Sequence, residues 1–469
     1  MSAHYDFGMI GLGVMGRNFL LNVADNGFAA VGLDKDDEKA RLLEEEGRAG
    51  GKTIKGATET QEFVAALAKP RKIMMLVPAG KIVDIVIEDL LPHLEAGDLV
   101  IDGGNSFYTD TDRREQYLKE KGIHFLGVGV SGGAKGARFG PSIMPGGKEA
   151  AYEIVRPVLE AVSAKVKGEP CVAYLGKSSS GNYVKMVHNG IEYALMQLLA
   201  ESYDLLKRIG GLSNEELHET YAKWNKGRLQ SFLVEITAAI FKQADDVKEG
   251  DLIDAILDKA KQKGTGKWTS QNGMDLGIPV PSIDSAVSMR GLSSLKTERI
   301  AAAEFLDIKM DTTKVDQAKF VAQVEAALYF AFIVTYAQGM SLLAAASEEY
   351  DYELNMEEIA KIWRGGCIIR AELLELMRQA YAADPKLKNL LVADSFKSTL
   401  QTTHTATRDV LKIGIESGIP LLTFGSALGY FDAYRSARLP LNLVQAQRDY
   451  FGSHTYERID QAGSFHTEW

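Results

Sequence analysis

Cysteine is scarce in this chain, whose 469 residues include only Cys171 and Cys367. The two lie far apart and form no CxxC motif, which excludes a disulfide framework and argues against a cysteine-bound zinc site. The N-terminal residues also lack the basic stretch and the apolar core of a secretory signal. These absences favour a reducing compartment, and we expect a cytoplasmic protein.

Positive charge is also in short supply. The 53 Lys and Arg residues are outnumbered by 63 Asp and Glu residues, so the formal net charge is −10. This balance argues against a protein that coats nucleic acid or an anionic membrane. An anionic ligand would therefore need a local cluster of cations that works against the overall field.

One apolar run, residues 326–346, has about the length of a membrane span. It contains Thr335, Gln338 and Ser341, and no clusters of Lys or Arg flank it. We expect a buried central helix, or a helix in a subunit interface, and no membrane insertion.

Short apolar runs alternate with helical patterns in the first part of the chain, which predicts a parallel, doubly wound α/β sheet. The predicted strands are residues 7–10, 30–33, 73–77, 99–101 and 124–128. The α/β pattern fades near residues 178–180, a small polar cluster that could cap a helix. We therefore divide the chain into three parts: an α/β domain over residues 1–178, an all-helical domain over residues 179–435, and a C-terminal helix and tail over residues 436–469.

Two segments of the helical part echo each other: WNKGRLQSFLVEI from Trp224 and WRGGCIIRAELLEL from Trp363. Each follows a long helical stretch, so a duplicated helical unit is one interpretation. Chance similarity between two helical pieces is the other.

A glycine-rich turn follows the first predicted strand: Gly11, Leu12, Gly13, Val14, Met15 and Gly16. Glycines at this spacing allow a tight turn and a close backbone approach to a pyrophosphate at a helix N-terminus. The second strand ends at Asp34, about where a ribose-binding carboxylate is expected. The pattern predicts a Rossmann-type dinucleotide site, and an ordinary βα turn is the alternative.

A second glycine-rich element, residues 129–134, follows the fifth predicted strand and contains Ser131, Gly132 and Gly133. Open α/β sheets bind ligands beyond the carboxyl ends of their strands. Backbone N–H groups and a small hydroxyl suit a carboxylate or sugar hydroxyls, although a plain glycine-rich turn is an equal alternative.

A polar face on one predicted helix carries the strongest chemical signal, since Lys185, His188, Asn189 and Glu192 share that face. A solvated Lys–Glu face is the alternative. Gly190 argues against it, because a mid-helix glycine costs about 1 kcal/mol relative to alanine and suggests that something approaches the backbone. Burial would lower the pKa of the lysine, so that it could accept a proton from an alcohol.

At these residues the sequence resembles the 6-phosphogluconate dehydrogenase family over essentially its whole length. The motifs that carry the resemblance are IGLGVMGRN, IDGGNS, VSGGAKGARFGPSIMPGG, VKMVHNGIEY, QKGTGKW, LSSLK, WRGGCIIR and AQRDYFGSHTYER. The resemblance implies oxidative decarboxylation of 6-phosphogluconate to ribulose 5-phosphate, in the oxidative pentose phosphate pathway, without a metal. It implies that Lys185 acts as general base and then acid, and that Glu192 protonates C1 of the ribulose 5-phosphate that forms.

The same resemblance implies the binding residues and a homodimer with shared active sites, in which Arg448 and His454 come from the partner subunit. The implied substrate-binding residues are Asn105, Ser131, Gly132, Gly133, His188, Asn189, Tyr193, Lys263, Thr265, Arg290, Arg448 and His454. The implied cofactor-binding residues are Gly11, Leu12, Gly13, Val14, Met15, Gly16, Asp34, Lys35, Asp36, Val77, Pro78, Ala79 and Asn105.

The chain departs from the usual family pattern at the cofactor site. Where many members carry Asn-Arg-Thr after the second strand, this chain has Asp34, Lys35 and Asp36, and Pro78 replaces a lysine found in many relatives. We therefore predict NAD as the preferred cofactor, with NADP as the alternative. In that alternative Asp36 caps the next helix, Asp34 points away, and Lys35 holds the 2′-phosphate.

Two other functions compete with this hypothesis. One is a non-decarboxylating β-hydroxyacid dehydrogenase, a related group of shorter proteins that lack the Lys263, Arg290, Arg448 and His454 motifs. The other is a nucleotide-sensing protein without turnover, which predicts a broken acid–base set.

Overall fold

The structure, a computed structural model, describes residues 4–469. Residues 1–3, with which the predicted first domain begins, lie outside the described residues. Within 4–469, seven strands form one sheet in the order β3-β2-β1-β4-β5-β6-β7, parallel except for the antiparallel edge strand β7. The strands are β1 Phe7–Ile10, β2 Ala30–Leu33, β3 Ile54–Ala57, β4 Lys72–Met75, β5 Leu99–Asp102, β6 His124–Ser131 and β7 Ser142–Gly147.

Helices cover both faces of this sheet because its strand residues alternate between two apolar cores. In β1, Phe7 and Met9 enter one core, whereas Ile10 enters the other. In β5, Ile101 and Val100 divide in the same way. The helices of this part are α1 Val14–Asp25, α2 Asp37–Ala49, α3 Thr60–Ala66, α4 Lys81–Leu90, α5 Tyr108–Lys119, α6 Gly133–Phe139 and α7 Glu149–Val162, with a 3-10 turn over Leu91–His93. The predicted doubly wound α/β class is confirmed.

Two strands of the sheet were not predicted from the sequence, β3 and β7. The β3 sequence IKGA is short, contains a lysine and a glycine, and is mostly only half-buried. The β7 sequence SIMPGG contains a proline and two glycines, and these residues usually interrupt strands. The third predicted strand, residues 73–77, corresponds to β4 and ends early at Met75, so that Val77 lies in the loop that follows it.

The second part of the chain is helical, as predicted, and is built around two long paired helices, α8 and α15. After a small hairpin of β8 Lys165–Val166 and β9 Glu169–Pro170, its helices are α8 Ser180–Arg208, α9 Asn214–Trp224, α10 Phe232–Phe241, α11 Leu252–Ala255, α12 Thr265–Asp275, α13 Pro281–Ser294, α14 Lys296–Leu306, α15 Gln317–Glu349, α16 Met356–Ile362, α17 Leu373–Ala383, α18 Asp394–Glu416, α19 Leu422–Tyr434 and α20 Leu441–Gly452, with a 3-10 turn over Leu390–Val392.

The apolar run at residues 326–346 belongs to α15. This helix is long and apolar enough to cross a membrane, but 72% of its most apolar window is buried inside the fold. The polar side chain of Gln338 is satisfied internally, since its oxygen accepts from the Ser282 N–H at 2.9 Å and its amide donates to the Ser282 hydroxyl at 3.0 Å. The run is therefore a core helix, one of the two possibilities that the sequence analysis gave.

The echo between the Trp224 and Trp363 segments corresponds to a repeated arrangement. A long helix, a short helix and a further helix follow one another as α8-α9-α10 and again as α15-α16-α17. The turns that contain the echoed residues pair with each other through an antiparallel bridge between Ser231 and Ala371. This arrangement favours the duplicated helical unit over chance similarity.

The polar cluster at residues 178–180 does mark the start of α8, but the prediction that it caps the helix is wrong. The Ser179 side chain makes no capping hydrogen bond. Its hydroxyl bonds the Tyr352 hydroxyl at 2.8 Å, and the Ser178 hydroxyl donates to Asp112 at 2.6 Å. The two hydroxyls tie the start of the helix to neighbouring elements.

The predicted C-terminal helix is α20, and the tail after it folds back into a small hairpin of β10 Tyr456–Glu457 and β11 Ser464–Phe465. The buried carboxylate of Asp449 on α20 organises it. That carboxylate accepts hydrogen bonds from the Thr455 and Thr467 N–H groups, the His466 ring and the Trp469 indole. Burial acts to raise the pKa of Asp449, but these donors outweigh it and lower the pKa to about 2.

Candidate active site

The glycine-rich turn between β1 and α1 has the geometry that phosphate binding requires. Gly11 has φ +90°, and a Cβ there would lie 2.6 Å from the Leu76 carbonyl oxygen. A Cβ at Gly16 would collide with the Gly11 carbonyl, so this glycine permits the close crossing of helix and strand. Gly13, by contrast, faces open space at the N-terminus of α1. The backbone is therefore exposed where a pyrophosphate would approach.

Asp34, at the end of β2, is held against this turn. Its Oδ2 accepts the Leu12 N–H at 2.8 Å, and its Oδ1 accepts the Asp36 N–H at 3.1 Å. The alternative in which Asp34 points away is therefore wrong. The part of that alternative that concerns Asp36 is right, because the Asp36 side chain caps α2 by accepting the Glu38 N–H at 3.1 Å.

A cavity of about 590 Å³ opens beside Asp34, with Val77 and Pro78 in its wall. Its apolar walls and the carboxylate at the end of β2 are the features expected of a site for the adenosine half of a dinucleotide. Two lysines lie at its rim. Lys35 is 84% exposed and pairs with Asp89 at 3.4 Å, whereas Lys39 lies 3.6 Å from Asp34 and 3.5 Å from Asp36.

The predicted polar helix face lies on α8 and is buried, so the solvated-face interpretation is wrong. Lys185 is 6% exposed, His188 is fully buried, and the Glu192 side chain is 20% exposed. Lys185 packs on β6 at Gly129, where any Cβ would collide with the lysine side chain. A glycine in the strand thus allows Lys185 to lie directly beside the sheet.

Gly190 is needed for helix packing, and the group that approaches its backbone is part of the protein. A Cβ there would lie 2.7 Å from Cγ2 of Thr269 on α12. The close crossing of α8 and α12 brings Thr265, at the start of α12, to Asn189, whose amide donates to the Thr265 hydroxyl at 3.3 Å.

Ser131, in the second glycine-rich element, joins the same cluster. Its hydroxyl lies 3.2 Å from Nε2 of His188, while Nδ1 of that ring lies 3.1 Å from the Asn189 oxygen and 3.8 Å from Glu192. Gly132 (φ +118°) and Gly133 (φ +61°) then begin α6 and are partly or fully exposed. This favours a ligand-facing element over a plain turn.

Burial shifts the pKa values of the cluster. It lowers the pKa of Lys185 and raises the pKa of Glu192, and the opposite charge of each partner counteracts part of both shifts. It also lowers the pKa of His188 well below its ordinary value, with the positive charge of Lys185 acting in the same direction. A buried lysine that releases its proton more easily and a carboxyl that retains its proton more readily are suited to proton transfer.

A second group of predicted residues lies beside Glu192. The guanidinium of Arg290 stacks 3.3 Å from the centroid of the Tyr193 ring, and the Lys263 N–H donates to the Tyr193 hydroxyl at 3.4 Å. Burial lowers the pKa of Arg290, although neighbouring Tyr193 and Glu192 oppose this. The exposed side chains of Lys263 and Asn105 leave both available to a ligand.

Arg448 and His454 are not joined to this cluster. Both are exposed in the C-terminal segment, where Arg448 donates to Gln445 at 3.0 Å and the His454 ring packs against Phe451. Within residues 4–469 of one chain, no hydrogen bond or ring contact connects them to Lys185 or its neighbours.

Sequence reasoning missed three residues at the site. Lys39 lies one turn into α2, a spacing that could have revealed its position beside Asp34. Trp363, whose ring packs edge-on against His188 at 5.6 Å, had been noted only as part of longer motifs and not as a site residue. Arg114, buried under two loops of the sheet, gave no local signal.

Comparisons with known proteins agree over the whole chain. Residues 6–176 match the family described as "NAD binding domain of 6-phosphogluconate dehydrogenase", and residues 181–469 match "6-phosphogluconate dehydrogenase, C-terminal domain". The chain is 51% identical over 465 residues to the Bacillus subtilis "6-phosphogluconate dehydrogenase, NADP(+)-dependent, decarboxylating", with 98% of each chain covered. It is 52% identical over 466 residues to the Synechococcus elongatus "6-phosphogluconate dehydrogenase, decarboxylating", with 99% of each covered.

Among solved structures, the fold matches that of a Plasmodium falciparum 6-phosphogluconate dehydrogenase. The TM-score is 0.96 at 43% identity, over 99% of this chain and 100% of that one. That protein was studied without ligand, with its cofactor NADP+ and with its substrate 6-phosphogluconate.

Proposed function

The chain belongs to the 6-phosphogluconate dehydrogenase family, and we propose that it converts 6-phospho-D-gluconate to D-ribulose 5-phosphate and carbon dioxide in the cytoplasm, within the oxidative pentose phosphate pathway. A nicotinamide cofactor would accept hydride from C3 of the sugar acid. The observation that carries the proposal is the pair of buried Lys185 and partly buried Glu192 on α8, beside the exposed glycine-rich element of the sheet.

Lys185 would act at the 3-hydroxyl. As a neutral amine it accepts the hydroxyl proton during oxidation, and the lowered pKa of the buried lysine favours that state. The product is a β-keto acid, which loses carbon dioxide with electron flow toward the C3 oxygen. The ammonium of Lys185 would then stabilise the negative charge on that oxygen.

After decarboxylation, Glu192 would protonate the carbon that was C2 of the sugar acid and becomes C1 of ribulose 5-phosphate. Its pKa, raised by burial, keeps a proton on the carboxyl group at higher pH than usual. Ser131, His188, Asn189 and Thr265 form the hydrogen-bonded wall that would orient the sugar acid, and Tyr193, Lys263 and Arg290 would face its phosphate.

The direct test is a spectrophotometric assay of 6-phosphogluconate with NAD and with NADP, combined with measurement of carbon dioxide release. We expect reduced cofactor and carbon dioxide in a ratio of one. Reduction without carbon dioxide would indicate a non-decarboxylating hydroxyacid dehydrogenase, and binding of both ligands without reduction would indicate a nucleotide sensor.

We further propose that NAD is the preferred cofactor. Asp34 is held by two backbone N–H groups, which supports a carboxylate fixed where we propose the ribose binds, and Asp89 adds a second negative charge in the wall of the cavity. A 2′-phosphate would meet both charges at short range. Lys35 and Lys39 are already paired with these carboxylates or Asp36, and neither offers the planar fork of an arginine.

We predict that kcat/KM for NAD exceeds that for NADP by about tenfold or more, which corresponds to roughly 1.4 kcal/mol. The measurement uses saturating 6-phosphogluconate at fixed ionic strength. Asp34→Asn should raise the efficiency with NADP because it removes the repelling charge. Asp37→Asn, an exposed neighbour in the first turn of α2, is the matched control and should leave the ratio unchanged. A wild-type ratio in favour of NADP would contradict the proposal.

We also propose a homodimer in which Arg448 and His454 complete the active site of the partner subunit. Both residues are exposed, Arg448 on α20 and His454 just after it. The same helix carries a row of exposed apolar residues, Leu441, Leu443, Val444 and Phe451, which also supports a dimer. Water-facing apolar side chains at this density are typical of a surface that another subunit covers.

Arg448→Ala should raise KM for 6-phosphogluconate by about tenfold to a hundredfold, because a charge-assisted phosphate contact of roughly 1.5–3 kcal/mol is lost. Arg435→Ala, which removes an exposed arginine paired with Asp432, is the control and should leave KM near wild type. The hybrid dimer of Arg448→Ala and Lys185→Met chains contains one intact site, so it should show about half of the wild-type activity. The hybrid is assayed at 6-phosphogluconate well below the KM of Arg448→Ala, and hybrids that form but show no more than half of the Arg448→Ala activity would contradict shared sites.

A further inference from the structure

Arg114 is a buried arginine that the proposed chemistry does not use. It lies on α5, and its side chain is only 1% exposed. Its Nε donates to Asp84 at 2.8 Å, and its Nη2 donates to the Gly80 carbonyl at 2.9 Å. Its Nη1 lies 3.4 Å from the fully buried carboxylate of Asp102. One guanidinium thus connects three separate points of the chain.

Two of these partners, Gly80 and Asp102, belong to or border two loops at the carboxyl end of the sheet. Gly80 ends the loop of residues 76–80 after β4. Asp102 ends β5 and shapes the loop of residues 103–107, because its carboxylate accepts the Gly104 N–H at 3.0 Å and the Ser106 hydroxyl at 2.6 Å. The strands are adjacent, and the Gly103 N–H donates to the Met75 carbonyl at 2.9 Å. The first loop carries Pro78 and the second carries Asn105.

The second loop is also tied to the helix that carries Lys185. The Asn182 amide, about one turn before Lys185, donates to the Gly104 carbonyl at 3.2 Å, and its oxygen accepts the Thr111 hydroxyl of α5 at 2.9 Å. The spacing between the two loops and their distance from α8 therefore depend on the same small network around α5.

We propose that Arg114 is a positioning residue for the dinucleotide, holding the loops 76–80 and 103–107 at the separation that the bound cofactor requires. This inference rests on the proposed function, since it takes these loops as the cofactor's walls. The planar guanidinium suits the task because it binds Asp84, Gly80 and Asp102 at fixed angles in a buried site. Loops fixed before binding lose less conformational entropy when the ligand arrives.

The test compares Arg114→Lys with Arg113→Lys. Lysine at position 114 keeps the positive charge, so Asp102 keeps a cation nearby. One ammonium cannot, however, reproduce the guanidinium's contacts with Asp84, Asp102 and the Gly80 carbonyl. Arg113 is the matched control because it binds the same Asp84 carboxylate at 2.9 and 3.1 Å from the solvent side, and its side chain is 57% exposed. Asp84→Asn, on the half-exposed partner, is a second variant in case Arg114→Lys does not fold.

Arg114→Lys should raise the dissociation constant of NADH, measured by fluorescence titration, at least fivefold. It should raise KM for the preferred cofactor similarly while kcat changes less than threefold. Asp84→Asn should act in the same direction, and Arg113→Lys should stay within twofold of wild type. A folded Arg114→Lys or Asp84→Asn variant with unchanged NADH affinity would overturn the inference, as would an equal effect of Arg113→Lys. Because the titration needs no turnover, it stays informative if wild-type protein fails to oxidise 6-phosphogluconate.

Discussion

Lys185→Met should lower kcat for 6-phosphogluconate oxidation by about three to four orders of magnitude. General base catalysis contributes roughly 10²–10⁴ to a rate, and stabilisation of the enolate oxygen by the same ammonium adds to this. Methionine has similar length without the charge, so it should fill the space between α8 and Gly129. The buried lysine is costly to ionise, and its replacement should therefore leave the melting temperature unchanged or raise it.

The measurements are kcat at saturating substrate and cofactor, NADH affinity by fluorescence, and thermal unfolding. Lys207→Met is the matched control, since Lys207 lies on the same helix but pairs with Asp254 near its far end. It should keep near wild-type kcat. If Lys185→Met kept more than a tenth of wild-type turnover with normal cofactor affinity, another group would have to be the base.

Local patterns predicted the fold where packing is local. Strand β1 and the glycine-rich turn after it were predicted from an apolar run and from glycines within a few residues of each other. The edge strands β3 and β7 were missed because their own sequences favour turns. They pair through long-range partners, such as Ser142 with Ser131 and Ile54 with Ala30, that no short window reveals.

For the active site, as for the fold, the local pattern was predictable from the sequence and the contacts between distant segments were not. Helical spacing placed Lys185, His188, Asn189 and Glu192 on one face, but burial of that face depends on β6 and α12, which approach from elsewhere in the chain. Arg114 lies outside any recognisable pattern because its partners, Asp84 and Asp102, come from different elements. Only tertiary structure brings such groups together.

Glu192→Gln should lower kcat by about 10²–10³, because glutamine cannot deliver a proton to the carbon that becomes C1 of ribulose 5-phosphate. It should also move the acid limb of the kcat/KM profile to lower pH. Lys185 accepts a proton only as a neutral amine, so activity falls as pH drops through its pKa. The Glu192 carboxylate raises that pKa by stabilising the ammonium, and its removal lets Lys185 lose its proton more easily.

The other groups that face Lys185 do not obscure this shift. Burial keeps His188 neutral by lowering its pKa, and it raises the pKa of the Cys367 thiol to about 12. Glu201→Gln is the control, since that buried carboxylate lies further along α8 and accepts the Thr423 and Phe424 N–H groups at 2.9 and 3.0 Å. Its loss should lower the melting temperature and leave the acid limb in place. An acid limb that stays in place in Glu192→Gln, or moves to higher pH, would show that the two charges do not act on each other in the working enzyme.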